Sequence, residues 1–232
     1  MNMPAMFWRA IWTLLVLGLI PLDGFSLASG QDIQELIRSI DEQQQKIQTV
    51  TANFSQKKET AFTRDPLFSS GLVKFKRPDR IHWTYSKPEP LEIALDGSSI
   101  WIYNPKRSKA EQYSLARSKR IAGYLEPLTA VFQKTFAQLA EGYAIDLEGN
   151  EADHTYHFRL QPTGERIQKV LSRVDLWIDK TSGAILRCKI VESNGDRLSL
   201  DFENLQINPP LTDDDLKIKL PPSVRVLEQS LP

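Results

Sequence analysis

Alternation of apolar and polar residues dominates the chain after its first fifty residues. In about ten short segments every second residue is apolar, which is typical of β-strands with one buried face and one solvated face. Two of the connections carry hairpin signals, at Asp96-Gly97 and at Asn194-Gly195. Strands in succession with short turns favour an antiparallel meander that curls into a barrel or wraps as a half-barrel. We therefore expect a mainly β protein with a few helices.

Two longer segments follow a helical period instead. The first runs from Asp32 to Val50, with Gln44 interrupting its apolar stripe, and the second covers residues 126–142. A shorter helix is expected after Thr212, a good N-cap followed by three aspartates. A curled sheet must fill its interior with side chains or enclose a cavity, and the two longer helices have apolar faces that could plug it. Their apolar positions are Ile33, Leu36, Ile37 and Ile40 in the first, and Leu128, Val131, Phe132 and Phe136 in the second.

The N-terminus has the layout of a secretory signal peptide. An apolar run of 13 residues follows Arg9, and small residues then allow cleavage near Ala28 or Gly30. An uncleaved membrane anchor is the alternative, but the run is shorter than the roughly 20 residues that a spanning helix needs. The stretch at the end of the run and directly after it, "PLDGFSLASGQ", contains no cysteine that could carry a lipid. We expect residues 1–30 to be removed, leaving an exported, soluble and non-lipidated chain with one domain over residues 31–232.

Charge and cysteine content narrow the function classes. The chain has 29 basic and 29 acidic residues, so nothing in its charge favours nucleic-acid binding. Cys188 is its only cysteine, which excludes an intramolecular disulfide and leaves core burial to hold the fold. Cys188 also lies on the same apolar strand face as Ala184, Leu186 and Ile190, as expected of a small buried hydrophobe. We expect a monomer.

Residues for catalysis or metal binding do not assemble in the sequence. His154 and His157 are three positions apart in a predicted strand, so they point to opposite faces and cannot share one ion. His82 lies on the polar face of its strand. The sequence has no nucleophile-elbow motif and no glycine-rich phosphate loop. We expect no enzymatic activity, no metal and no cofactor.

Aromatic residues on the strands are the candidates for ligand contact. Ordinary core packing and the wall of a cavity for an apolar ligand both use such side chains, and periodicity does not separate them. The candidates for the cavity wall are Phe54, Phe75, Trp83, Tyr85, Trp101, Tyr103 and Trp177.

Arg77 continues an apolar strand face, because counting by twos from Val73 through Phe75 reaches it just before Pro78. A guanidinium in a filled core costs several kcal/mol unless it is paired. At the rim of a cavity it can donate to backbone carbonyls of a covering element and act as a latch. The alternative is an arginine that simply points to solvent beside Pro78.

The segment from Gly71 to Pro105, "GLVKFKRPDRIHWTYSKPEPLEIALDGSSIWIYNP", together with "ANFSQ" and "LKIKLPPSVRV", resembles the outer-membrane lipoprotein carrier family, LolA. The resemblance extends over essentially the whole chain after residue 30. The family often has a glycine before its last strand where this chain has Ser223, so contacts made there need not carry over.

The resemblance implies an incomplete, strongly curved antiparallel β-barrel of about 10–11 strands, closed by a helical lid over a hydrophobic cavity. Arg77 falls on the family's lid-binding arginine, and the lid is the first helix with the segment around Leu128 to Ala140. The implied partners are acylated lipoproteins, an ATP-driven inner-membrane lipoprotein-releasing complex and an outer-membrane lipoprotein acceptor. The implied location is the periplasm. The acceptor shares the fold but carries a lipid-attachment cysteine, which this chain lacks.

Three other readings remain open from the sequence. One is a periplasmic regulator of envelope stress that senses lipids or peptides with the same fold, although this chain leaves little room for a second domain. Another is a carrier of other lipids or glycolipids. The third is an enzyme of lipid metabolism, which the missing catalytic residues disfavour.

Overall fold

The computed structural model describes residues 30–61, 63–116, 134–150 and 154–229. The expected signal peptide and the lid positions Leu128, Val131 and Phe132 lie outside these residues. Three helices are described: α1 (Gly30–Gln45), α2 (Phe136–Ala140) and α3 (Glu165–Gln168). Short 3-10 helices cover Pro105–Arg107 and Asp213–Leu216, the second at the position expected from Thr212.

All strands belong to one sheet. Their bounds are β1 (Thr49–Glu59), β2 (Leu67–Lys76), β3 (Arg80–Lys87), β4 (Leu91–Asp96), β5 (Ser99–Asn104), β6 (Lys109–Ser114), β7 (Tyr143–Asn150), β8 (Thr155–Pro162), β9 (Leu171–Asp179), β10 (Ile185–Glu192), β11 (Arg197–Ile207) and β12 (Arg225–Gln229). The order across the sheet is β12-β6-β5-β4-β3-β2-β1-β11-β10-β9-β8-β7.

The predicted mainly β, open and strongly curved antiparallel sheet is confirmed. Its edges, β7 and β12, do not pair with each other among the described strands, so the barrel is incomplete. The strand count is 12 rather than about 10–11, and the β12–β6 pair is parallel. The hairpins at Asp96-Gly97 and Asn194-Gly195 join β4 to β5 and β10 to β11 as expected. No helix within the described ranges is long and apolar enough to cross a membrane.

The core lies on the concave face of the sheet. Strand register places Phe54 opposite Phe202, and Cys188 between Leu200 and Leu176, so the inward residues of neighbouring strands form continuous rows. Residues of α1 and α2 complete the same apolar cluster; these are Ile37, Ile40, Phe136 and Leu139, with Ile33 and Leu36 packed at its margin. Helix α1 therefore lies against the concave face, with its apolar stripe toward the strands.

The first helix is shorter than its apolar pattern predicts. It ends at Gln45, and β1 begins at Thr49, so Val50 belongs to a strand rather than to the helical stripe. Ile47 lies in the connection between them. The expectation of a helix to Val50 is therefore wrong. The reason is that the spacing of Ile47 and Val50 happens to fit the helical period. Both residues in fact line the apolar pocket wall, which continues from the connection into β1.

Candidate functional site

An apolar pocket opens on the concave face beside the C-terminal end of α1. Its volume is about 60 Å³, about that of two water molecules in the liquid. The wall is made by inward residues of β1, β2, β3, β10 and β11 and by the end of the helix; these are Gln44, Ile47, Val50, Ala52, Val73, Phe75, Arg77, Ile81, Trp83, Gly183, Ala184, Ile185, Phe202 and Leu205. Sites for drug-sized ligands usually measure about 300–1,000 Å³. The pocket is therefore nearly filled while α1 is in place.

Arg77 joins the rim of this pocket to α1. Its Nε donates a hydrogen bond to the backbone oxygen of Ile47 at 2.7 Å, and its Nη2 donates to that of Gln44 at 2.9 Å. The Arg77 backbone N–H donates to the oxygen of Gln48 at 2.9 Å. Partial burial lowers the pKa of the guanidinium from its ordinary value, but an arginine stays charged at neutral pH. A cation at the end of a helix also complements the helix dipole.

Helix α1 has a second attachment at Gly183, in the turn between β9 and β10. The buried Gln44 side chain donates from Nε2 to the Gly183 oxygen at 3.0 Å. Gly183 has φ +72°, and a Cβ built on it would lie 2.9 Å from the Cβ of Gln43. Glycine is needed here for its left-handed backbone and for the close approach of the helix.

A third attachment joins α1 to α2. The buried carboxylate of Asp41 accepts hydrogen bonds from the backbone N–H groups of Phe136 at 2.6 Å and Ala137 at 3.1 Å. These are unpaired donors of the first turn of α2, which Thr135 also caps. Asp41 therefore fixes α2 to α1, and the two helices pack as one unit through Phe136 and its neighbours in the core.

The connection between α1 and β1 is held by Asn208. Its side-chain oxygen accepts from the Gln48 N–H at 2.7 Å, and its amide donates to the Lys46 oxygen at 2.9 Å. Asn208 follows β11 with φ +56°, a conformation that asparagine tolerates better than most residues. The connection stays attached to the sheet through bonds that do not involve the helix itself, which makes it a suitable hinge for α1.

Four of the predicted cavity residues lie on the concave face. Phe75 and Trp83 form part of the pocket wall. Phe54 lies beside them, with its ring centroid 4.7 Å from that of Trp83 and 4.9 Å from that of Tyr85, in edge-to-face contacts. The Tyr85 hydroxyl donates to Gln56 Oε1 at 3.1 Å, and burial raises the pKa of Tyr85 to about 12. These rings form one aromatic cluster next to the pocket.

The other three aromatics lie on the opposite face, and their assignment to the cavity wall is wrong. Register pairs Leu95 with Ile100 on the concave side, so Trp101 and Tyr103 point outward. The Trp101 Nε1 donates to Asp96 Oδ2 at 3.2 Å. Trp177 shares its outward face with Asp175 of the same strand and stacks on a histidine ring.

His82, His157 and Cys188 take packing roles, whereas His154 is exposed. His82 is buried on the outer face, and its Nε2 lies 2.9 Å from Glu92 Oε2. Cys188 is buried in the core, as expected, and burial raises the pKa of its thiol to about 12.

Asp41, Gln44, Gly183 and Asn208 were not predicted as site residues. The interruption of the stripe at Gln44 was the visible signal, since a polar residue on an apolar helix face must find a buried partner. The other three depend on contacts across long stretches of chain, which local patterns do not reveal.

The fold and the pocket define a class of protein: an open, curved sheet whose concave apolar face is covered by a helix. The chain belongs to the family described as outer membrane lipoprotein carrier protein LolA, which it matches over residues 45–219.

Named relatives and solved structures agree with this class. The chain is 24% identical over 227 residues to the outer-membrane lipoprotein carrier protein of Pseudomonas putida, covering 95% of this chain and 100% of that one. It is 27% identical over 209 residues to the protein of the same name from Legionella pneumophila, covering 85% and 94%. In structure it is similar to an uncharacterised conserved protein from Thermus thermophilus, with a TM-score of 0.55 and 13% identity over 86% of this chain and 100% of that chain. It is also similar to MucB, with a TM-score of 0.52 and 16% identity over 82% and 64%. At these identities the two structures support the fold alone.

Proposed function

We propose that this protein carries lipoproteins across the periplasm by enclosing their acyl chains against the concave face of its sheet. It receives them from an ATP-driven releasing complex in the inner membrane and delivers them to an acceptor in the outer membrane. On this proposal residues 1–30 are a signal peptide and residues 31–232 form the carrier domain. The observation that carries the proposal is the position of α1. Its apolar stripe covers an apolar wall, yet its C-terminal end is held by hydrogen bonds to backbone oxygens that water can replace.

Relatives support this proposal through their names. The proteins of Pseudomonas putida and Legionella pneumophila are both named outer-membrane lipoprotein carrier protein, and both are covered almost completely by this chain.

The energetic problem for such a carrier is the size of its cargo. Burial of an acyl chain contributes roughly 0.8 kcal/mol per CH₂ group. Transfer of two or three long chains from water to an apolar surface is therefore favourable by tens of kcal/mol. A carrier must recover most of this free energy and still release the cargo without ATP of its own. A helix that competes with the cargo for the same apolar wall meets both needs, because its return offsets part of the loss when the chains leave.

In this mechanism Arg77 favours the empty state. Its bond to the Gln44 oxygen, in the last turn of α1, exists only while the helix is docked, so this bond stabilises the closed form and weakens cargo binding by the same free energy. Its bond to the Ile47 oxygen belongs to the connection. Asn208 holds the connection to β1, which lets α1 turn about residues 46–48 without leaving the sheet. Asp41 makes α2 move with α1.

Analysis of the material bound in cells tests the function directly. The protein is purified from the periplasm under mild conditions, and its bound material is identified by mass spectrometry. Acylated polypeptides in stoichiometric amounts are the expected result. Free phospholipid or glycolipid would instead identify a carrier of other lipids, and a co-purifying signalling protein would identify a regulator of envelope stress. Either result would overturn the lipoprotein proposal.

A further inference from the structure

The outer face of the sheet has a groove much larger than the concave pocket. Its volume is about 1010 Å³, at the upper end of the usual range for ligand sites. It runs over β1, β2, β9, β10 and β11 and the end of β3. Ser55 lines it and points away from Phe54, its neighbour in β1. The groove is therefore on the face opposite the pocket, and both can be occupied at once.

Strand register explains how this groove forms. One transverse row runs Ser70, Ser55, Asp201, Arg187 and Trp177 across five neighbouring strands. A second row runs Phe68, Lys57, Ser199 and Lys189. In the first row Ser70 and Ser55 lie side by side on β2 and β1, and in the second row Ser199 lies on β11 between Lys57 and Lys189. These small serines form the recessed part of the floor between longer side chains, and Phe68 and Trp177 lie at opposite sides of the groove.

The two aromatic residues at the sides of the groove differ: Phe68 is exposed to solvent, and Trp177 is held in place by its neighbours. Phe68 is 63% exposed, which is unusual for a phenylalanine within a strand. The Trp177 ring stacks on His157, with centroids 4.2 Å apart and planes 7° apart, and the Arg187 guanidinium lies 5.4 Å from the ring centroid on the neighbouring strand. Trp177 is therefore fixed in orientation before any ligand binds.

The groove is positively charged. Four cations line it, namely Lys57, Lys87, Arg187 and Lys189, against the single lining carboxylate of Asp201. Asp201 pairs with Arg187, and Lys57 pairs with Glu59 at 2.9 Å. Neither Lys87 nor Lys189 forms a close ion pair within the described part of the chain, although Lys189 is near enough to Glu59 to help lower the pKa of that carboxyl. Lys87 and Lys189 are therefore the two lining cations that have no carboxylate in direct contact and can pair with an anionic ligand.

We propose that this groove binds an extended, acidic segment of a partner polypeptide. Carboxylates of the segment would pair with Lys87 and Lys189, its main chain would meet the serine hydroxyls, which both donate and accept, and its apolar groups would contact Phe68 and Trp177. A membrane surface fits less well, since a flat bilayer does not reach a recessed floor. This site does not depend on the cargo proposal, because its groups lie on the other face of the sheet.

Fluorescence anisotropy with the full chain tests the site. The probe is a labelled peptide that alternates glutamate and valine, and its comparison has glutamine at every glutamate position. The double variant Lys87→Glu/Lys189→Glu should bind the glutamate peptide at least about tenfold more weakly, and added salt should weaken binding to the unchanged protein. The matched control is Arg166→Glu/Lys169→Glu, which changes the net charge equally on the exposed surface near α3. It should bind as the unchanged protein does.

Two results would overturn the proposal: equal binding of the two peptides, or equal loss in both double variants. Vesicles of anionic phospholipid are the third probe, and binding of these in place of the peptide would assign the face to a membrane.

Trp177→Phe gives a second readout that does not depend on charge reversal. The glutamate peptide should change the tryptophan fluorescence of the unchanged protein and not that of the variant. Peptide affinity should be the same with and without an acylated ligand in the pocket.

Discussion

At the scale of single residues, Arg77 shows why a polar group can be useful at an apolar interface. Its guanidinium contacts backbone oxygens rather than a carboxylate. Carbonyl partners exchange easily with water, so the bond is lost at moderate cost when the helix moves. A carboxylate on α1 would instead form an ion pair with Arg77, and breaking this pair would leave the guanidinium without its counter-charge and oppose opening.

Replacement of Arg77 by leucine should therefore favour the open form. Loss of the charge-assisted hydrogen bond to the Gln44 oxygen removes roughly 1–3 kcal/mol from the docked state of α1. Acylated cargo should then bind about tenfold more tightly and be handed on more slowly, because the competing helix is weaker. The measurement is equilibrium binding of a triacylated lipopeptide, together with its transfer to purified acceptor.

Arg80→Leu is the matched control for this variant. Arg80 lies three residues further on, and its Nη2 is 3.5 Å from Asp213 Oδ2 rather than in contact with α1. It should leave binding and transfer unchanged. Arg77→Leu with normal binding and a normal transfer rate, whatever its stability, would end the latch hypothesis.

At the scale of elements, the sequence predicted which segments are strands better than it predicted which face of each is inward. The strand "SIWIYN" is apolar on both faces, so parity alone could not decide between Ile100 and Trp101, and only the pairing with β4 places Ile100 inward. In β9 the alternation of residues did place Trp177 on the outer face with Asp175. Trp177 was nevertheless assigned to the cavity wall because it is aromatic.

Two strands escaped the pattern because they are edges. β7 carries Tyr143, Ile145 and Leu147 on one side, but its last residues are Glu148-Gly149-Asn150, a sequence that resembles a turn. β12 has five residues and pairs in parallel with β6. A parallel partner more than a hundred residues away leaves no local signal. The curved sheet was predictable, and so was the donation of hydrogen bonds by Arg77 to backbone oxygens of a covering element. The contacts of Asp41, Gln44 and Gly183 required the tertiary structure.

The docking of α1 against the β9–β10 turn gives a prediction for Gly183→Ala. A Cβ here would meet Gln43 at 2.9 Å in addition to the strain of φ +72°. The helix must shift or detach, and we expect faster hydrogen exchange of the α1 amides, by about tenfold or more. Gly195→Ala separates the two causes, because Gly195 has φ +92° with nothing within 4 Å of the built Cβ. It should lower overall stability by about 1 kcal/mol without selective exchange in α1. Equal exchange in the two variants would show that contact with the helix is unimportant.

At the scale of the whole molecule, the small pocket and the large cargo require a change of shape. About 60 Å³ of space beside α1 cannot hold even one long acyl chain. The apolar wall beneath α1 continues through the core, so displacement of the helix provides the needed surface without rearrangement of the strands. Loading should thus exchange one apolar cover for another, and the sheet should remain intact.

Two measurements on the same sample distinguish this exchange from general loosening. When a triacylated lipopeptide binds, the α1 amides should exchange faster, while amides of β8 and β9 should not change. Cys188, the only cysteine, reports on the core from the inward face of β10. With a pKa of about 12, about one thiol in ten thousand is ionised at pH 8, and the acyl chains should keep it covered. Its reaction with a thiol reagent should therefore stay slow in the loaded protein. Rapid labelling on loading would indicate that the core opens, and unchanged α1 exchange would show that the cargo binds without moving the helix.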